Sequence, residues 1–389
     1  MLYNTMTMRK ERFERSGRVR MFVCGPTVQN LIHVGHARTY VFYDVLARYL
    51  GHLGYEVDFV LNITDVDDRI TDEARDQGTD PQELARKYTE AFLEDMRRLG
   101  ITSVSKFERV SRYVDVMISQ VSALLEGKYA YVADGVVYFD TSTFPRYGRL
   151  SHQSKAELSL RPLELSPNKR NLLDFGLWRP VVLVEGKWDS PWGRGSPGWH
   201  IQDTAVTLTN FGPQYDIHGG AYELIYPHHE AEIAQGESIT KVRPLVRYWV
   251  HTGLINIKGR KMSKSAGNVF PVREVLRRHT ADQLRFYLLS RHYREDIEFD
   301  IRRLGRESRR FSGLARKARR AVGGGVHRDG SELARALAPF YDAMNDDMDT
   351  PKALDWVEGI VTGSNQRNTT YSALLVVSKI LGIDFLGEA

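Results

Sequence analysis

The chain has 389 residues, one cysteine and a formal net charge of +5. That length predicts two or three domains with ample core, and a single cysteine excludes an intramolecular disulfide, as expected in a reducing compartment. No apolar run is long enough to span a bilayer, and Met1 to Arg20 is polar and charged without a signal-peptide core; the expectation is a soluble, cytoplasmic protein with no membrane partner.

The apolar run Met21-Phe22-Val23-Cys24 makes Arg18–Cys24 read as a buried strand. Tyr40 to Leu50, with Val41, Val45, Leu46, Tyr49 and Leu50 apolar, reads as an amphipathic helix, and Glu56–Asn62 as a second, parallel strand. Together they predict a right-handed βαβ unit. His33-Val34-Gly35-His36 falls at its strand-to-helix turn, where unpaired N–H groups and the helix dipole attract phosphate. Gly35 lets the backbone come close to a nucleotide where a side chain would collide. Helical patterns follow from Pro81 to Leu99 and from Val110 to Leu125. Between Gly127 and Gly195 the texture changes, with alternating Val136-Val137-Tyr138-Phe139 as a hairpin strand among proline- and tryptophan-rich turns.

The sheet is expected to resume at Tyr215–His218, with Tyr248–Gly253 as its next strand. His228 and Glu232, four apart where a helix is expected to start after Pro227, share one face within reach of one metal ion. Lys261-Met262-Ser263-Lys264-Ser265 reads as a loop between Gly259 and Gly267, its two lysines placed to follow phosphates. Helices dominate after Val272. Arg302 to Arg320 is a strongly basic helix opposed only by Glu307, which either tracks a phosphate backbone or is a solvated face. Gly323-Gly324-Gly325 reads as a hinge before a helical pair, Ser331–Tyr341 and Pro351–Ile360, followed by Tyr371–Leu381.

The histidine and lysine words together resemble the signature of class I aminoacyl-tRNA synthetases. Others narrow the resemblance to the cysteinyl-tRNA synthetase family: Cys24-Gly25-Pro26-Thr27-Val28, Asn62-Ile63-Thr64-Asp65-Val66-Asp67-Asp68, Pro197-Gly198-Trp199-His200-Ile201, Asp216-Ile217-His218-Gly219-Gly220 and Pro227-His228-His229-Glu230. These words run in order to about Asp300, with a trace at Asn345-Asp346-Asp347 and Thr350-Pro351. The resemblance implies an α/β, split Rossmann-like fold: residues 1–126 and 196–300 as the halves of the catalytic domain, 127–195 as an insertion, and 301–389 as the basic helix and a C-terminal α-helical bundle. It also implies that the chain stops before the anticodon-reading domain of typical members.

The implied reaction is adenylation of an amino acid by ATP and Mg²⁺, in which positioning and charge stabilisation do the catalysis. His33 and His36 would act near the α-phosphate, and Lys261 and Lys264 on the β- and γ-phosphates. Gly35, Ser263 and Ser265 would line the ATP site, and Gly219 and Gly220, read as following a strand, would give adenosine close backbone access. A plain Gly-Gly turn, and a His33 that merely caps its helix, are the structural alternatives. The amino acid pocket would include Thr64, Trp199, His218 and Gln29, the last where a tyrosine is common in the family.

Family members hold zinc with two cysteines, a histidine and a glutamate, and use it to grip the thiolate of substrate cysteine. Here the set reads Cys24, Asp203, His228 and Glu232, with Asp203 in place of the second cysteine. Either a harder, less zinc-selective Zn²⁺ site is retained, or zinc is absent and Asp203 pairs with a substrate ammonium or a nearby histidine. Two acceptors are consistent with the sequence. One is tRNA, its acceptor stem on Arg309, Arg310, Arg316 and Arg319. The other is a small amine, as in mycothiol ligase, a tRNA-independent amide-forming offshoot which the short C-terminus resembles. A non-catalytic binding paralogue is the third class, and the intact phosphate-handling motifs speak against it.

Overall fold

In a computed structural model, five strands assemble into one parallel sheet: β1 (Arg18–Val23), β2 (Glu56–Ile63), β3 (Lys106–Arg109), β4 (Tyr215–Ala221) and β5 (Val246–Thr252), in the order β5-β4-β1-β2-β3. The structure describes all residues except 15–16, 162–165, 181–187, 263–266, 322–329, 364–366 and 388–389. Ser263, Lys264, Ser265 and the glycine hinge at 323–325 therefore lie outside the described residues.

β1 is central because both its faces are apolar, as a strand covered on two sides requires. Met21 and Val23 pack with helix α1 (Val34–His52). Phe22 and Cys24 join the core on the other face, with helices Val114–Glu126 and α2 (Trp199–Phe211). The chain moves outward in one direction through β2 and β3 and in the other through β4 and β5. The crevice beyond the carboxyl ends of β1 and β4 is thus the topological switch point, where open α/β sheets bind ligands.

Helix α1 begins at Val34, six residues before the amphipathic run that announced it, because His33 and His36 close a capping box. Helix α2 had no expectation at all. It is buried on nearly every side, from His200 through Thr207, so it lacks the one-sided apolar stripe that betrays a helix. The insertion forms a four-stranded antiparallel sheet from Ala130–Ala133, Val136–Phe139, Phe175–Pro180 and Gly195–Pro197. Its last strand runs past the expected boundary at 195. Gly198 joins that strand to α2, and a Cβ there would lie 2.0 Å from the Gly176 carbonyl oxygen.

The basic segment is helix α4 (Ile301–Ala321), with Leu304, Phe311, Leu314, Ala315 and Ala318 buried. Three more helices, Gly330–Asn345, Thr350–Gly363 and Arg367–Leu381, pack beside it. Two buried charges tie this bundle to the sheet domain. Asp347 accepts from the Tyr3 N–H and the Tyr293 hydroxyl, each at 2.7 Å, and pairs with Arg294 at 2.8 Å. Arg285 bonds Asp44 of α1 and the Leu381 carbonyl, each at 2.7 Å. No helix among the described residues is long and apolar enough to cross a membrane.

Candidate active site

Beyond β1 and β4 lies an open cleft with a volume of about 480 Å³, and its two ends are built by different means. At one end are His33, Gly35, His36 and Lys261; at the other are Cys24, Gln29, Thr64, Trp199, Asp203 and His228.

At the first end, His33 is the N-cap of α1 in extended conformation (φ −116°, ψ 174°), and its Nδ1 accepts from the Gly35 N–H at 3.1 Å. The Nδ1 of His36 accepts in turn from the His33 N–H at 3.2 Å. An Nδ1 that accepts leaves the ring proton on Nε2, so both imidazoles keep an Nε2–H to donate. Burial, with the Lys261 charge behind it, holds His33 down at about 4. Burial, then His33 and Lys261, hold His36 well below its usual range. Both rings are neutral donors at the positive end of a 19-residue helix whose first turn carries no acidic residue. Capping and phosphate binding are thus one arrangement, since the cap fixes the tautomer that faces the cleft. Lys261 sits on the short strand Arg260–Lys261, paired antiparallel with Ile255–Ile257, and its ammonium meets Glu223.

The second end is assembled from distant segments. Cys24 follows β1 and its N–H bonds the Gly219 carbonyl of β4 at 3.1 Å. Asp203 lies on α2, with Oδ1 accepting from Asn62 Nδ2 at 2.7 Å and Oδ2 3.1 Å from His228 Nε2. The same nitrogen is 3.0 Å from Glu232 Oε1. His228 is not in a regular helix start, as expected, but in a π-type turn, Ile225–His229, that runs into helix α3 (Glu230–Thr240). The two still converge. Trp199 stacks on the His228 ring at 4.2 Å and 13°, and Arg69, gripped by Asp67 and Thr27 at 2.8 Å, lies over the Trp199 ring with its guanidinium carbon 5.5 Å from the centroid.

The donor atoms of Cys24, Asp203, His228 and Glu232 all lie within 4.8 Å of one another and are buried. Burial pushes the Cys24 thiol well up, and Asp203 and Glu232 add to the effect. Burial alone would lower His228, but Glu232 and Asp203 outweigh it and hold it up at about 9. Although Glu232 Oε1 is close to His228, neither Glu232 oxygen receives a well-directed hydrogen bond. A buried cluster of one thiol, two carboxylates and an imidazole at the wall of the cleft, with orphaned carboxylate oxygens, fits a divalent cation.

Three expected residues stand elsewhere. Gly219 and Gly220 lie within β4, not after it, and neither lines the cleft; a Cβ on Gly219 would meet the Tyr43 ring at 2.3 Å, and the Gly220 N–H donates to Tyr43 Oη at 3.0 Å. Their smallness seats α1 on the sheet. His218, fully buried, stands behind Cys24 instead of lining the cleft, its Nε2 3.4 Å from the sulfur. Arg309, Arg316 and Arg319 are exposed on α4. Arg310 is engaged within the protein, by Glu358 at 2.7 Å and Glu307 at 3.2 Å. Sequence reasoning missed Asn62 and His229, although both sit inside words it had singled out.

Residues 11–308 match the family described as the tRNA synthetases class I (C) catalytic domain. A cysteine–tRNA ligase of Thermoplasma volcanium is 49% identical over 302 residues, covering 77% of this chain and 66% of that protein. One from Pelotomaculum thermopropionicum is 43% identical over 378 residues, covering 94% of this chain and 78% of the relative. The chain thus spans just under two thirds of the length of the Thermoplasma protein. Among solved structures, Mycobacterium tuberculosis methionyl-tRNA synthetase in complex with methionyl-adenylate superposes with a TM-score of 0.70 at 16% identity, over 94% of this chain and 92% of that one. That likeness establishes a class I synthetase fold, and identity above 40% along nearly the whole length narrows it further: the chain belongs to the cysteine–tRNA ligase family.

Proposed function

We propose that the chain activates cysteine, or a close analogue, as its adenylate and transfers it to tRNA in the cytoplasm. The observation that carries the reading is the pair of neutral imidazoles, His33 and His36, each fixed through Nδ1 so that Nε2–H faces a cleft shared with Lys261 and the Cys24 cluster. The substrate carboxylate attacks the α-phosphorus of Mg²⁺-bound ATP; an O–P bond forms, the α–β bridge breaks and pyrophosphate leaves. His33 and His36 donate to the phosphoryl oxygens as they gain charge. Lys261 holds the departing pyrophosphate, and by resemblance Lys264, Ser263 and Ser265 share that task. The terminal ribose hydroxyl of tRNA then attacks the acyl carbon; its proton goes to solvent, and AMP departs with the bridging oxygen.

Zn²⁺ held by Cys24, Asp203, His228 and Glu232 would supply a Lewis acid for the substrate's side-chain sulfur. Around it, Trp199 forms a flat wall braced by Arg69, Gln29 and Thr64 complete the pocket, and Asn62 fixes the direction of the Asp203 carboxylate. The relatives named as cysteine–tRNA ligases support tRNA as acceptor over a small amine. Arg309, Arg316 and Arg319 are the residues assigned to the acceptor stem, while Arg310 is withdrawn from that set. Charging of tRNA tests this. Replacing the three arginines by alanine should cut the log–log salt slope of tRNA binding by roughly 3, with pyrophosphate exchange intact. If tRNA is neither bound nor charged while an added amine captures the adenylate, the acceptor is wrong.

A further inference from the structure

A second set of donors stands behind the first and shares two of its members. The Sγ of Cys24 is 3.2 Å from His229 Nε2 and 3.4 Å from His218 Nε2, and the latter is 3.4 Å from Glu232 Oε2. Around one tetrahedral zinc, neighbouring donors lie roughly 3.3–3.6 Å apart, given bonds of about 2.0–2.3 Å. All four side chains are buried. Glu232 serves both sets with different oxygens, Oε1 toward His228 and Oε2 toward His218, and neither oxygen has a well-directed hydrogen bond.

The two inner histidines also carry the outer support that metal-bound imidazoles need, a partner on the nitrogen facing away. His218 Nδ1 is 2.6 Å from Tyr215 Oη, and His229 Nδ1 is 2.8 Å from His251 Nε2. His251 is braced in turn by Thr5 Oγ1 at 2.8 Å. In the tautomers a metal requires, protonated on Nδ1, both Nε2 lone pairs would turn toward the Cys24 sulfur.

We propose that Cys24, His218, His229 and Glu232 form an inner station for a zinc-like divalent cation, which exchanges with the outer station of Cys24, Asp203, His228 and Glu232. Asp203 makes the stations comparable. A second cysteine at that position would give the outer set two thiolates. With Asp203 it has one thiolate, one imidazole and two carboxylates, against one thiolate, two imidazoles and one carboxylate inside, a mixture better matched to zinc. Cys24, Asp203 and His228 line the cleft, whereas His218, His229 and Glu232 do not. A cation at the inner station is therefore withdrawn from substrate.

The inference rests on the metal reading above, and the test separates the two. Wild type, Asp203→Ala, His228→Ala, His229→Ala and the double variant His228→Ala/His229→Ala are purified without chelator for elemental analysis and zinc-edge X-ray absorption. Each single variant should keep about one equivalent, and the double variant should bind at least about tenfold more weakly. Absorption of His228→Ala should count one sulfur and two imidazoles. If His228→Ala does not fold, Asp203→Ala reads the same point. Loss of metal from both outer variants, with retention in His229→Ala, would overturn the inner station and leave the outer one standing. Retention in the double variant would overturn both assignments, and absence of metal from every form, wild type included, would remove the metal reading itself.

Discussion

The two ends of the cleft handle charge in opposite ways. At the phosphate end the protein brings almost no net charge: two neutral imidazoles, a helix terminus and a lysine already paired with Glu223 face a ligand that carries its own. At the amino acid end it crowds potential anions into a buried corner of the cleft, and a cation has to resolve them. The histidines of the first site come from one local turn, with Lys261 added from a distant strand; the second site draws on the residue after β1, on α2, the π-type turn and α3. The lesson is that one cleft can be preorganised locally where the substrate is charged and assembled globally where the protein is.

The difference makes the ends separable. His36→Ala should lower pyrophosphate exchange about a hundredfold, the roughly 3 kcal/mol of one transition-state hydrogen bond, and leave metal content unchanged; a loss of metal would show the ends coupled. Cys24→Ala should do the reverse. It removes a direct donor common to both cation sets, so metal affinity should fall by more than the roughly 100-fold that losing an outer partner can cost, while ATP binding measured by calorimetry stays within about twofold.

The smallest effect concerns acid stability. His33 is held neutral down to about 4, against 6.5 unfolded. Its contribution is fully present above pH 6.5 and is lost as pH falls toward 4, because the unfolded chain takes up the proton first. Between pH 7 and 5 that loss is about 2 kcal/mol. His33→Asn keeps a capping side chain and does not titrate, so its denaturation midpoint should move less over that interval. An unchanged acid slope would show that the cap is not where the proton acts.

The same contrast explains what the sequence revealed. The histidine word was legible because cap, tautomer and helix start all lie within four residues. The metal end was legible only at His228 and Glu232, four apart, and by family likeness at Cys24 and Asp203. Helix α2, which carries Asp203, is buried all round and showed no periodicity. Helix Asp68–Gln77 could have been found, from the Asp67 cap and the left-handed Gly78 that end it. Gly219 and Gly220 were expected after a strand and lie within one, because a glycine pair marks any close approach; at Gly219 the approaching group is Tyr43 and at Gly220 it is Leu224 and His229. Arg310 looked like its neighbours until Glu358, some fifty positions away, claimed it.

The most direct test of the account is amino-acid-dependent exchange of pyrophosphate into ATP, run across the amino acids without tRNA. Exchange with cysteine or a close analogue, dependent on Mg²⁺ and lowered about a hundredfold in His36→Ala, is the expected result. No exchange with any amino acid, from protein that binds ATP, would contradict the claim that the two ends act on one substrate pair.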